Sequence, residues 1–302
     1  MAACSSASSP SGVPEDIDSA GGTSGSSVGG GNSGNSGSST GATTGSGGLA
    51  VVTGTGGFGN TGNIPGATGG TVNLSICPSL NCPATPPAGS GTVPVISTFG
   101  NSLVAGSESK VEGDNRLGYW YTYNDGTPGA TQNPTGSTFM PSSPGQDDNY
   151  AARTWGSGFM GSSYSKGWTG AGMGLDFNNG CAYNAAAYKG VTFWAKGSVT
   201  GTVRFSVKQA STTFAGDNSG GTCCSQGDRS KSSGCSDHFG ADITLSANWT
   251  QYTYTWSQLN QKGWGILAAQ NPAELLGVQW QVSDAAATAS FDIWVDGLAF
   301  TT

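Results

Sequence analysis

From about residue 92 to residue 302, apolar and polar side chains alternate in short runs, a pattern that puts one face of a strand in a core and the other in water. The run 202–208 sets Val203, Phe205 and Val207 on one face, with Arg204 and Lys208 on the other. Val278, Trp280 and Val282 alternate with Gln279 and Gln281; Phe291, Ile293 and Val295 alternate with Asp292, Trp294 and Asp296. Similar stretches predict strands near 94–99, 117–123, 150–155, 172–177, 188–196, 241–246 and 249–256, punctuated by Gly, Asn, Asp and Pro clusters. Helical periodicity is nearly absent, and only 272–276 reads as a single turn, with Pro272 at its start. About ten short strands with turns between them predict an all-β, two-sheet β-sandwich of jelly-roll type. Two loops, 124–149 and 209–240, are long for such a domain, and the second carries three cysteines.

The N-terminal part has none of this pattern. Residues 1–91 hold 23 glycines, one Phe (Phe58), no Trp or Tyr, and three charges: Glu15, Asp16 and Asp18. Such a segment cannot bury enough apolar area to offset its ordering entropy, so it reads as a disordered Gly/Ser/Thr-rich linker. All nine Trp and all nine Tyr fall between Tyr119 and Trp294, so 92–302 reads as one domain.

Composition narrows the partners. With 11 basic against 18 acidic residues and a net charge of −7, nothing here suits a phosphate backbone, and nucleic acid is excluded. No stretch reaches the roughly 18–20 apolar residues of a membrane-spanning helix. Of the seven cysteines, Cys4 follows small residues at the start of the linker, as the lipidated cysteine follows a bacterial lipoprotein signal, with Met1 standing in place of a removed leader. The other six are Cys77, Cys82, Cys181, Cys223, Cys224 and Cys235, an even number that favours disulfides and an oxidising compartment. Their pairing stays open, although Cys77 and Cys82 flank a short loop that a bridge could close ahead of the domain. Zinc is the rival reading, weakened by the lack of a C-x2-C pair and by the presence of one histidine, His238.

A saccharide offers hydroxyls and weakly apolar C–H faces, so a surface that holds one needs aromatic platforms beside polar groups. Tyr121 and Tyr123 share one face of their predicted strand, and Trp120 and Thr122 share the other. With Trp120 in the core, both tyrosines are free to stack on a sugar; the reverse assignment stays open. Arg204, Lys208, Gln279 and Gln281 supply polar groups on two strands, and His238 supplies a hydrogen-bonding ring or a loop pin. Trp264, between glycines, is an exposed platform or a plug for the end of the core.

Several runs resemble the carbohydrate-binding-module-like domains of bacterial surface lipoproteins, relatives of family 11 carbohydrate-binding modules and galactose-binding-like jelly rolls. They are 118–126 (GYWYTYNDG), 174–177 (GLDF), 188–197 (YKGVTFWAKG), 237–240 (DHFG), 249–252 (WTQY) with Trp264–Gly265, and 291–296 (FDIWVD). The resemblance implies non-catalytic polysaccharide binding and a structural Ca²⁺ held by acids of the first strand and a C-terminal Asp. Here 95–100 carries no acid, which leaves Asp292 and Asp296 as the calcium candidates; no cofactor is required.

The expectation is therefore a polysaccharide-binding lipoprotein, secreted or displayed at the cell surface in the manner of an outer-membrane lipoprotein. Two alternatives stand beside it. One is an adhesive or structural surface protein that contacts proteins or itself. The other is a jelly-roll glycan-degrading enzyme, against which no local E-x-D-x-E-like arrangement of paired acids appears on one strand face and no G-x-S-x-G elbow occurs.

Overall fold

The computed structural model describes residues 77, 82–97, 99, 110–135, 139–147, 150–160, 170–216, 220–225, 227–228 and 232–302. Cys4 and nearly all of the Gly/Ser/Thr-rich stretch lie outside them.

Among the described residues twelve strands form in chain order: β1 (Val95–Ser97), β2 (Lys110–Gly113), β3 (Arg116–Asn124), β4 (Thr131–Asn133), β5 (Ala152–Ser157), β6 (Ala171–Asp176), β7 (Gly190–Ser198), β8 (Val203–Gln209), β9 (Phe239–Ile243), β10 (Thr250–Thr255), β11 (Leu275–Val282) and β12 (Phe291–Thr301). They make two antiparallel six-stranded sheets. The first runs β10-β7-β12-β5-β4, with β1 also paired to β12; the second runs β2-β3-β6-β11-β8-β9. The two sheets pack as the expected jelly-roll β-sandwich. The turn expected at 272–276 is a 3₁₀ turn over Pro272–Glu274, after which Leu275 opens β11. One short helix, α1 (Asp284–Thr288), lies between β11 and β12.

Period-2 alternation decides which side chains meet between the sheets. Trp120, Phe205 and Trp280 point inward from the second sheet, and Phe193 and Ile293 from the first, all nearly devoid of exposure. Trp120 stacks on Trp280 at 5.7 Å, and Phe193 meets Trp280 edge-on at 5.1 Å and Phe205 at 4.7 Å. These rings join the two layers. At one end Phe177, Tyr183, Tyr188 and Phe300 form a further aromatic group.

Chain ahead of residue 92 is fastened to the sandwich. The open pairing resolves away from a Cys77–Cys82 bridge: Cys77 pairs with Cys224, Cys82 with Cys181, and Cys223 with Cys235. A strap of chain from Cys82 to β1 is also held by backbone bonds. Gly89 N donates to Asn184 O at 2.9 Å, and Asn184 N donates to Pro87 O at 2.8 Å. Beneath the strap lies Asp114, whose carboxylate accepts from Ser90 N and from the Tyr183 and Tyr188 hydroxyls. Burial alone would raise the Asp114 pKa; these donors outweigh it and hold it down at about 2.

Candidate functional site

The outer faces of the two sheets differ in kind. On the first sheet, the Arg153 guanidinium sits 4.3 Å from the centroids of both Trp155 and Trp294, and the Lys196 ammonium sits 4.7 Å from those of both Trp294 and Trp249. Aromatic and cationic groups thus interleave, and ring faces that could meet a ligand are occupied by cations from the same sheet. Asp292 completes the arrangement by accepting from Arg153 Nε at 2.9 Å and from Nη2 at 2.7 Å.

Both aspartates named as calcium candidates have protein partners. Asp292 gives both oxygens to a guanidinium, the opposite of what a hard cation needs. Asp296 accepts from Gln146 N at 2.8 Å and Gly297 N at 2.7 Å. Among the described residues no group of three or more His, Cys, Asp or Glu side chains could hold a metal.

The outer face of the second sheet is built from aligned rows across the strands. One row reads Tyr121, Gly174, Gln279, Ser206, Gly240; the next reads Tyr123, Gly172, Gln281, Arg204, Asp242. A third pairs Asp176, Gly277 and Lys208. The alternation that buries Trp120 turns Tyr119, Tyr121 and Tyr123 outward, with ring centroids 6.3 and 6.0 Å apart in succession. Tyr119, not singled out from the sequence, is 44% exposed and extends the pair to three. Its signal was the same alternation, one step earlier on β3.

Glycines on β6 set the pose of these rings. A β-carbon at Gly174 would stand 2.8 Å from the Tyr121 hydroxyl, and one at Gly172 would stand 2.6 Å from that of Tyr123. The ring ends therefore lie directly over glycine backbone, so each ring rests against the sheet and turns its other side outward. Lys208 crosses from β8 to meet them: its ammonium donates to Tyr121 Oη at 2.9 Å and to Asp176 Oδ1 at 3.4 Å. Burial by itself lowers the Lys208 pKa, but Tyr121 and Asp176 outweigh it and the net shift is upward. Burial raises the Asp176 pKa against the pull of Lys208. Lys208 thus stays charged and is committed to fixing Tyr121.

Of the residues expected from the sequence, Tyr121, Tyr123, Arg204, Lys208, Gln279 and Gln281 share this face. Arg204 is paired with Asp242 at 3.4 Å and donates to Asn260 O at 2.5 Å. His238 is at the edge but buried, with Nδ1 2.8 Å from Thr212 Oγ1. Burial, followed by the charges of Lys208 and Arg204, lowers its pKa to about 3, so it is a neutral loop pin. Trp264 is 62% exposed in the loop alongside β9 and does not plug the core.

No protein-family model and no curated protein sequence matches the chain. Among solved structures, the chain is similar to a family 11 carbohydrate-binding module from Clostridium thermocellum in complex with a β-1,3-1,4-mixed-linked tetrasaccharide. The identity is 12%, covering 69% of this chain and 94% of that one, with a TM-score of 0.41. It is also similar to a structure described as CBM4, at 15% identity over 60% of this chain and 92% of that one, with a TM-score of 0.31. A third is the K1 cleaved adhesin domain of Lys-gingipain from Porphyromonas gingivalis, at 14% identity over 68% and 96% of the two chains, with a TM-score of 0.32.

Proposed function

We propose that the outer face of the second sheet binds a polysaccharide chain without cleaving it. The observation that carries this reading is the row of three tyrosines, two of them laid over glycines of β6. It provides a platform about 12 Å long from two ~6 Å steps. Gln279, Gln281 and Arg204 stand beside it as hydrogen-bonding groups. Stacking supplies apolar contact, and the amides and guanidinium match hydroxyls, the combination a sugar polymer requires.

The acids of this face support binding over cleavage. Asp176 is on β6 and Asp242 on β9, three strand spacings apart and four residues offset along the strands, so at least ~14 Å separates them, wider than the ~9.5 Å upper separation for a glycosidase pair. Each is also tied to a cation, Asp176 to Lys208 and Asp242 to Arg204 and Lys262.

Three disulfides are typical of a chain that folds in an oxidising compartment, and among the described residues no helix is long and apolar enough to cross a membrane. Lipidation at Cys4, with the Gly/Ser/Thr-rich stretch as a spacer, fits a surface-anchored form; metabolic labelling with an alkyne fatty acid checks it, with Cys4→Ala as the unlabelled control.

The test of binding is affinity electrophoresis of the full chain through gels containing β-glucan, xylan, mannan or pectin, with the products assayed for new reducing ends. Retardation by a polymer without cleavage is expected, and Tyr121→Ala with Tyr123→Ala should abolish it. Migration unaffected by every polymer would sink the binding reading, and released reducing ends would replace it with catalysis.

A further inference from the structure

On the opposite margin of the same face, a short loop holds an aromatic side chain away from the protein. Trp264 is flanked by Gly263 and Gly265, and the loop closes over Asp237, a buried residue. The Asp237 carboxylate accepts three backbone N–H groups: Lys262 N on Oδ1 at 2.9 Å, and Gly263 N at 2.8 Å and Gly265 N at 3.2 Å on Oδ2. Both glycines are required. Gly263 has φ +86°, which strains any residue with a β-carbon, and a β-carbon at Gly265 would lie 2.5 Å from that of Asp237. Gln261 Nε2 donates to Asp237 O at 2.8 Å, and Ile266 N donates to Gly234 O at 2.7 Å, beside the Cys223–Cys235 bridge.

This loop is continuous with the tyrosine face. Lys262 Nζ lies 3.3 Å from Asp242 Oδ2, Arg204 donates to Asn260 O, and Gly240 and Asn260 exchange backbone hydrogen bonds. A buried carboxylate, two obligatory glycines and a disulfide-bounded neighbour thus keep a large apolar side chain in water.

We propose that Trp264 is a second stacking platform for the same ligand and that Asp237 is the residue that positions it. The proposal rests on the polysaccharide-binding reading above and adds a length requirement. From β3 to β9 is four strand spacings, roughly 19 Å, so only a chain long enough to cross the sheet meets both the tyrosines and Trp264. A disaccharide reaches one margin.

The experiment measures affinities of the full chain for a di- to hexasaccharide series cut from whichever of the four gel polymers retards it. Trp264→Ala is expected to weaken the longest oligomers about tenfold, the value of one stacked ring at ~1.4 kcal/mol, while leaving the disaccharide unchanged. Asp237→Asn replaces one acceptor oxygen with an amide that opposes the loop N–H groups. It should reproduce that length-dependent loss and alter acrylamide quenching of Trp264 fluorescence, measured as the difference between each background with and without Trp264. Wild-type protein that binds no polymer overturns the polysaccharide reading and this inference together. Wild-type binding with Trp264→Ala unchanged at every length, or weakened equally at every length, overturns this inference alone. A length profile untouched by Asp237→Asn removes Asp237 from the positioning role.

Discussion

Lys208 serves Tyr121 before it serves any ligand. Its ammonium bonds the Tyr121 hydroxyl and the Asp176 carboxylate, so Lys208→Met leaves a buried acid without its cation and a ring without its tether. A stability loss on the order of 2 kcal/mol is expected, read by urea denaturation, together with weaker polysaccharide retardation. His238 gives a pH signature. Its folded pKa of about 3 lies below the ordinary 6.5, so the unfolded chain binds the extra proton and stability falls as pH drops from about 6.5 toward 3. Each pKa unit of that displacement is worth about 1.4 kcal/mol. Asp114 acts in a lower window: its pKa, depressed to about 2, gives stability that is present above about 4 and lost as pH falls through 2. Thermal melts from pH 7 to 4 should therefore decline, and His238→Asn should flatten that decline. A slope unchanged in the variant would show that other groups set it.

Among the elements, β6 decides whether the face works. Its alternation places Ala171, Met173 and Leu175 in the core and Gly172, Gly174 and Asp176 outside. Gly174→Ala would put a β-carbon 2.8 Å from both the Tyr121 hydroxyl and Val278 O, so the ring must lift and the sheet must give. A cost of about 1–3 kcal/mol and lost retardation are expected. Gly172→Ala meets Trp280 O at 2.4 Å and should cost more, as chemical denaturation of the two variants would show. This explains what the sequence disclosed. The tyrosines of β3 and the polar residues of β8 and β11 were legible because period 2 alone assigns a face, and the same rule applied one step earlier exposes Tyr119. The three-residue β4, Thr-Gln-Asn, carries no apolar alternation to mark it. The pairing of Asp292 with Arg153 was hidden, because Arg153 is on β5, across a register that only the folded sheet defines. Asp237 was visible as an acid, but its three backbone donors lie 25 to 28 residues away in the chain.

At the scale of the whole molecule, the disulfides divide into two jobs. Cys77–Cys224 and Cys82–Cys181 close loops of sequence separation 147 and 99, whereas Cys223–Cys235 spans 12. Loop-closure entropy gives about 5 kcal/mol for each long bridge and about 3 kcal/mol for the short one. The long bridges fasten the strap that runs over Asp114 into β1, joining a segment of little apolar content to the sandwich by covalent bonds. The short bridge lies beside Gly234, which accepts the backbone bond from Ile266 in the Trp264 loop. Their removal should therefore separate in two measurements. Replacing Cys82 and Cys181 by Ser should lower the melting temperature by roughly 10–20 °C, at 2–4 °C for each kcal/mol in a domain of this size, while the binding profile against oligosaccharide length stays as it is, because this bridge fastens the strap ahead of β1. Replacing Cys223 and Cys235 should lower the melting temperature less but weaken the long oligosaccharides selectively, as Trp264→Ala does. Equal effects of both pairs on affinity would mean that the bridges act only through global stability, and the short one would lose its connection to the site.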